Sequence, residues 1–240
     1  MKIIDIHHPD TFDVAIEAIH QHPIIVQLPT VFVLLAAPTS KGAAQLNEAK
    51  KRLPGKNYGT AIGSLSEFIA QAMPASLPEE FRSADDFVKM SGTFIRVQFR
   101  EKSFQSATLL NGTHQGLLLD GVYAELFKAI EHSFVSAAPD KIWDYNNYSA
   151  PLCTSCNVSG DPQGSITELD KALHFAREKR IPFFIKGYPS SHELGSYPIF
   201  GYERHQVAIH REGPHLNKFK EKIPPYLRAW ETVEKTVVFS

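Results

Sequence analysis

Two cysteines in 240 residues cannot build a disulfide framework, which excludes the small stapled secreted scaffolds. Neither sign of charge is in excess: 25 Lys and Arg stand against 26 Asp and Glu, for a formal net charge of -1. A dedicated non-specific nucleic-acid binder takes most of its affinity from neutralised phosphates and carries a clear positive excess. That class is excluded, although a local basic cleft is compatible with the balance. Long apolar runs are also missing. The longest, Val31-Phe32-Val33-Leu34-Leu35-Ala36-Ala37, falls far short of the roughly 20 residues of a membrane span. The opening Met1-Lys2-Ile3-Ile4-Asp5-Ile6-His7-His8 has neither the apolar segment nor the small-residue cleavage site of a secretory signal. A cytoplasmic protein without membrane contact is expected. There is no Walker loop, Rossmann glycine fingerprint or nucleophile elbow. Internal repeats and low-complexity tracts are absent too.

What is present is an ordinary globular composition, 43% hydrophobic and 21% charged, in a chain long enough for one large domain with a full core. Phe12, Ala15, Ile16 and Ile19 fall at helical spacing behind Asp10, a candidate N-cap, and Pro23 ends that helix. Ile24 to Leu28 and Val31 to Ala37 read as buried strands. A helix from Ser40 places Ala43, Leu46 and Ala49 on one face and stops near Pro54-Gly55. Ser64 and Glu67 have capping-box spacing and predict a helix over 65–73; Ser165 and Glu168 predict a second, running to about Arg180. Thr93 to Phe99 alternates, with Ile95 and Val97 on one face and Arg96 and Gln98 on the other. Gly116 to Leu119 reads as a short strand, and 121–132 as a helix with Val122, Leu126 and Ile130 as its stripe. Pro182 to Lys186, Tyr197 to Tyr202 and Gln206 to His210 read as late strands. The interspersed pattern predicts an α/β or α+β domain with a twisted sheet.

Two stretches could carry chemistry. Pro151-Leu152-Cys153-Thr154-Ser155-Cys156-Asn157-Val158-Ser159-Gly160 is dense in small polar residues ahead of a helix. Backbone N–H groups and hydroxyls in such a loop suit a phosphate or carboxylate, and the bland alternative is a plain polar turn. In Lys50-Lys51-Arg52-Leu53-Pro54-Gly55-Lys56, Lys50 and Arg52 could converge on one anion. The bland alternative there is cations complementing a helix C-terminus. Cys153 and Cys156 form a lone Cys-x-x-Cys with no second pair to complete a zinc site, so no metal held by protein side chains is expected. A redox role ranks below the polar-loop reading, because the two cysteines flank its Ser155.

Taken together, Lys50-Lys51-Arg52 and Thr154-Ser155-Cys156-Asn157-Val158-Ser159-Gly160 resemble the Lys-x-Arg and Ser-x-Asn signature of the YrdC-like family of threonylcarbamoyl-AMP synthases. Ile25-Val26-Gln27-Leu28-Pro29-Thr30, Ser91-Gly92, Gly195-Ser196 and Ile209-His210-Arg211-Glu212-Gly213 resemble further family segments in the same order. The resemblance spans roughly residues 10–213. It implies a single YrdC-like α/β domain over 1–213, with a twisted mixed sheet flanked by helices around a large concave cleft. Residues 214–240 then form a C-terminal extension packed on that domain or trailing from it. It also implies synthesis of threonylcarbamoyl-AMP from L-threonine, bicarbonate and ATP with Mg2+, releasing pyrophosphate, for the N6-threonylcarbamoyladenosine of tRNA. Lys50 and Arg52 carry over as catalytic residues. Thr30, Lys56, Thr154, Ser155, Asn157, Ser196 and Arg211 carry over as nucleotide or substrate contacts.

This chain departs from the family at two places. Where members read Pro-Thr-Asp/Glu-Thr-x-Tyr-Gly-Leu, it reads Pro29-Thr30-Val31-Phe32-Val33-Leu34-Leu35-Ala36. Where members have Val-Arg-x-Pro, it has Leu117-Leu118-Leu119-Asp120, without the arginine. An altered amino-acid substrate is therefore an expectation. The rival reading is a non-catalytic paralogue that binds nucleotide, tRNA or double-stranded RNA.

Overall fold

The computed structural model describes residues 1–53, 55–100, 106–135, 149–189 and 192–231. The first half runs β1 (Lys2–Asp5), α1 (Thr11–Ile19), β2 (Ile24–Gln27), β3 (Phe32–Ala36), α2 (Ser40–Lys50), β4 (Gly59–Ala61), α3 (Leu65–Ala70), α4 (Ala84–Val88) and β5 (Thr93–Gln98). The second half runs β6 (Thr113–Leu118), α5 (Gly121–Val135), β7 (Leu152–Ser155), α6 (Leu169–Glu178), β8 (Phe183–Lys186), β9 (Ile199–Glu203), β10 (Gln206–Arg211) and α7 (Leu216–Lys220). Among the described residues, ten strands form one mixed sheet in the order β1-β8-β2-β3-β7-β4-β6-β5-β9-β10. The α/β expectation holds, with one correction: the segment around Cys153, read as a loop, is a strand in the middle of the sheet. Its polar residues sit where β7 pairs antiparallel with β3, Leu34 opposite Thr154 and Val33 opposite Ser155.

Strand β3 is buried on both faces, and the period of two divides its side chains. Phe32, Leu34 and Ala36 join a core with α2, α3 and α6, through residues such as Leu46, Phe68 and Phe175. Val33 and Leu35 join a second core with α1 and α5, through Ile19, Leu126 and Phe134. At the far end Phe219, Ile223 and Leu227 are buried, and a backbone bridge joins Val207 to Arg228. Residues 214–231 thus pack along β10 and cover the edge of the sheet. Residues 232–240 of the expected extension, and Pro54 of the expected helix stop, lie outside the described residues. No helix of the described residues is long and apolar enough to cross a membrane.

Several caps differ from expectation. The Asp10 side chain makes no cap bond to α1. Thr39 caps α2 instead, its Oγ1 accepting from the Gly42 N–H at 3.0 Å. Ser64 does cap α3, accepting from the Glu67 N–H at 3.3 Å, but the helix ends at Ala70. The carboxylate that completes this cap comes from a distant helix: Glu131 of α5 accepts the Gly63 and Ser64 N–H groups at 2.8 Å each. The second expected capping box is absent. Ser165 is hydrogen bonded to Ser196 at 2.5 Å, and α6 opens at Leu169 behind Glu168.

Candidate functional site

Strand β3 and the strands beyond it leave part of the second face of the sheet free of helices. There, Val31, Val33, Phe94 and Cys153 line a cavity of about 220 Å³. Lys50, Arg52, Lys56 and Arg211 reach the same cavity, with Thr154, Ser155, Asn157 and Ser196, and among the described residues no Asp or Glu lines it. Four cations without a carboxylate, in a chain of net charge -1, make a local anion site.

The cations reach it by different routes. Helix α2 ends at Lys51, whose left-handed φ of 46° turns the chain and brings Arg52 back toward the sheet. Lys50 is only 2% exposed. Its ammonium donates to the Ser155 carbonyl, to the Asn157 carbonyl at 2.8 Å and to Asn157 Oδ1 at 3.0 Å. Three N–H groups meet three oxygens, so Lys50 is spent on shaping the loop. Burial, then the charge of Arg52, pulls its pKa down to about 8. Asn157 is likewise held from within: Oδ1 also accepts from Ser155 Oγ at 2.8 Å, and Nδ2 donates to the Val158 carbonyl at 2.9 Å.

The donors left for a ligand are others. Arg52 lies over the Tyr58 ring at 4.2 Å and donates through Nη2 to the Asn57 carbonyl. Its Nε has no partner among the described residues. Lys56 is exposed at the rim. Arg211 spends Nε and Nη2 on the Tyr197 carbonyl, at 3.0 and 2.6 Å, and lies 5.4 Å from the Phe94 ring centre. Burial is the main cause holding its pKa down at about 10, which leaves it a cation at neutral pH. Gln115 also lines the cavity, and its Oε1 accepts Arg96 Nε at 3.1 Å and Nη2 at 2.5 Å. Arginine only donates, so the oxygen is fixed and the Gln115 NH2 is left to donate elsewhere.

Of the nine residues carried over as catalytic or binding residues, Thr30 alone stays outside the cavity lining. Its Oγ1 donates to the Gly195 carbonyl at 2.9 Å, and its own carbonyl accepts the Gly195 N–H at 2.8 Å, so it pins the segment that carries Ser196. Phe32 and Leu34 belong to the opposite core and do not face the cavity; Val31 and Val33 do. Cys153 and Cys156 are buried in opposite cores, and burial pushes both thiols up to about 12. They suit neither a disulfide switch nor a paired metal site. Among the described residues no group of three metal-ligating side chains occurs. Arg96, Gln115, Asn57 and Phe94 were not singled out. The available signal was the alternation of β5, whose polar face borders the cavity.

No protein-family model matches this chain, and no curated protein matches it. Solved structures do. P. abyssi Sua5 complexed with L-threonine matches with a TM-score of 0.70 at 18% identity, covering 100% of this chain and 66% of that one. E. coli YciO matches with a TM-score of 0.60 at 15% identity, over 88% of this chain and 93% of that one. HypF in a phosphate- and nucleotide-bound form matches with a TM-score of 0.57 at 14% identity, over 83% of this chain and 28% of its own length. The chain thus spans about two thirds of Sua5 and little more than a quarter of HypF. At these identities the likeness shows the fold, and that fold is a YrdC-like α/β domain.

Proposed function

We propose that this YrdC-like domain binds a nucleotide triphosphate and forms a carbamoyl-type adenylate, most simply threonylcarbamoyl-AMP, as a diverged member of the YrdC-like family. The observation that carries the reading is the cavity itself, with four cations around the Ser155-Cys156-Asn157 turn and no carboxylate among its described lining residues. A volume of about 220 Å³ is below that of a drug-sized site and suits the phosphate end of a ligand, with the nucleoside extending outward. The structural likeness to Sua5 in complex with L-threonine and to HypF in a nucleotide-bound form adds support.

In this reading the threonine amine forms a bond to the bicarbonate carbon with loss of water, and an oxygen of the resulting carbamate attacks the α-phosphorus. The bond from that phosphorus to the pyrophosphate oxygen breaks, and pyrophosphate leaves with the electron pair. Arg52, Lys56 and Arg211 stabilise the charge on the phosphates, and the Gln115 amide adds a neutral donor. Lys50 and Asn157 act one step back and hold the loop in register. The described lining offers no carboxylate, so a Mg2+ ion accompanying ATP would take its ligands from the nucleotide rather than from these residues, and would supply charge neutralisation at the phosphates.

Pyrophosphate release is measured from ATP and bicarbonate with each of the twenty amino acids. Release with threonine supports the synthase, and release with another amino acid supports a synthase of changed substrate. Silence with all twenty, with tRNA or double-stranded RNA retained on a filter, selects a non-catalytic binding protein.

A further inference from the structure

Strand β10 carries one residue too many. Ala208 pairs with Gly201, Ile209 with Phe200 and Arg211 with Ile199, so His210 is the extra residue of a bulge. In a regular strand neighbouring residues point to opposite faces, and a bulge re-aims them. Here the result is that His210 and Arg211 serve the same face. Arg211 reaches the cavity described above, while the His210 imidazole lies over Gly201: a Cβ added there would stand 2.2 Å from His210 Nε2. The missing side chain at Gly201 is what gives the ring its seat.

Beside this ring lies Arg96. It pairs with Gly201 on one side and with Gln115 on the other, so Gln115, Arg96 and His210 form one row across three neighbouring strands and the bulge. Arg96 and His210 line a second cavity of about 700 Å³, with Arg204, Gln98 and Thr113. Arg96 is half-buried, yet no carboxylate of the described residues forms an ion pair with it; its partner is the neutral Gln115 amide. Glu203 at the rim is engaged by Gln206 Nε2 at 2.6 Å. A partly desolvated guanidinium without a counter-ion calls for an anion. The sequence signature does not include either residue.

We infer that Arg96 and His210 form a second oxyanion subsite beside the first, linked to it through Gln115, which takes a phosphate or carboxylate group. The inference stands apart from the reaction proposed above, since it requires only that an anion bind. Burial, then the positive charge of Arg96, holds the His210 imidazole below its usual pKa, against a smaller opposing effect of Glu203. An anion between Arg96 and the ring offsets the charge of Arg96 and favours the imidazolium.

The test follows the ring nitrogens of His210 by NMR, assigned with His210→Gln, while inorganic phosphate or succinate is added to the full chain. Saturable movement of the His210 signals with a rise in its pKa is expected. Response to phosphate identifies a phosphate-type ligand, and response to succinate alone a carboxylate. Arg96→Met weakens this response at least about tenfold, the loss expected for one charge-assisted contact. Gly201→Ala displaces the ring, a movable side chain, and abolishes the response in a folded protein. Arg52→Ala, which damages only the first cavity, changes it less than about twofold, as expected for distant sites. If neither anion moves the His210 signals, or if Arg52→Ala abolishes the response while Arg96→Met leaves it intact, there is no second subsite.

Discussion

Lys50→Met separates a lysine that holds the site from one that performs the chemistry. The substitution keeps the stem and removes the ammonium, which is buried and donates to three oxygens. Asn157 Oδ1 keeps the Ser155 hydroxyl as donor, so two carbonyls, those of Ser155 and Asn157, lose their side-chain partner. Each costs about 1–3 kcal/mol when left unsatisfied. Against this, Met removes a buried charge. The fall of the lysine pKa from 10.5 to about 8 puts that relief at about 3 kcal/mol. The two effects nearly offset, for a net loss of about 1 kcal/mol, which is about 2–4 °C in Tm for a domain of this size. The larger effect falls on the loop. Without its tether the Ser155–Ser159 turn no longer holds one geometry, and ATP affinity measured by calorimetry drops by about tenfold or more. Lys50→Arg restores neither quantity, because the larger planar fork does not fit a site closed to solvent. A Lys50→Met, Asn157→Ala double-mutant cycle shows coupling of about 0.5–3 kcal/mol. Unchanged ATP affinity in Lys50→Met, with turnover alone abolished, would refute the holding role.

Arg52→Ala weakens ATP binding by about tenfold or more, whereas Lys51→Ala leaves it unchanged within twofold. Lys51→Gly raises Tm by about 1–3 °C, since glycine suits the left-handed φ of 46° that closes α2; a lower Tm contradicts the assigned turn. Glu131 is pushed up to about 7 by burial, opposed in part by its two backbone donors. Its folded pKa lies above the unfolded value, so the stability is fully present below about 4.5 and is lost as pH rises through about 7, by at most about 3 kcal/mol. Glu131→Gln, which still accepts from Gly63 and Ser64, flattens Tm over that window, and an unaltered slope assigns it to another group. In the presence of ATP and bicarbonate, valine competes with threonine to within about threefold, because an apolar wall of Val31 and Val33 discriminates weakly for a hydroxyl. A clear preference for threonine shows that backbone groups recognise the hydroxyl.

Local patterns in the sequence located most of the fold. Helical spacing in 121–132 and alternation in 93–99 each match an element, because amphipathic periodicity is written into the residues themselves. What failed depended on distant partners. Strand β7 is short and polar, and it is a strand only because β3 and β4 supply its ladder on either side. Ser165 and Glu168 have the spacing of a capping box, but Ser196 claims the serine hydroxyl from 31 residues away. Conversely the Ser64 cap takes its carboxylate from Glu131, which no local window contains.

The site follows the same division. Lys50, Arg52, Ser155 and Asn157 do converge, as their shared signature implied, yet their roles could not be read from residue type. A lysine in a polar motif suggests a charge offered to a ligand. Once Lys50 sits inside α2 facing β7, its three donors meet carbonyl oxygens and the charge is turned inward. As a string of letters the run from Val31 to Leu34 reads as one block facing the substrate. The period of two splits it: Val31 and Val33 reach the cavity, while Phe32 and Leu34 serve the core behind it. Of the three positions where members carry an acid, a threonine and a tyrosine, here Val31, Phe32 and Leu34, only Val31 therefore bears on recognition. Arg96 and Gln115, outside the signature, lie on strands whose polar positions have the pattern of ordinary solvent-facing ones. They became part of a cleft because α1 and α5 cover only part of that face, leaving the cavities unlined by either helix, and the bulge at His210 brings two consecutive side chains onto it.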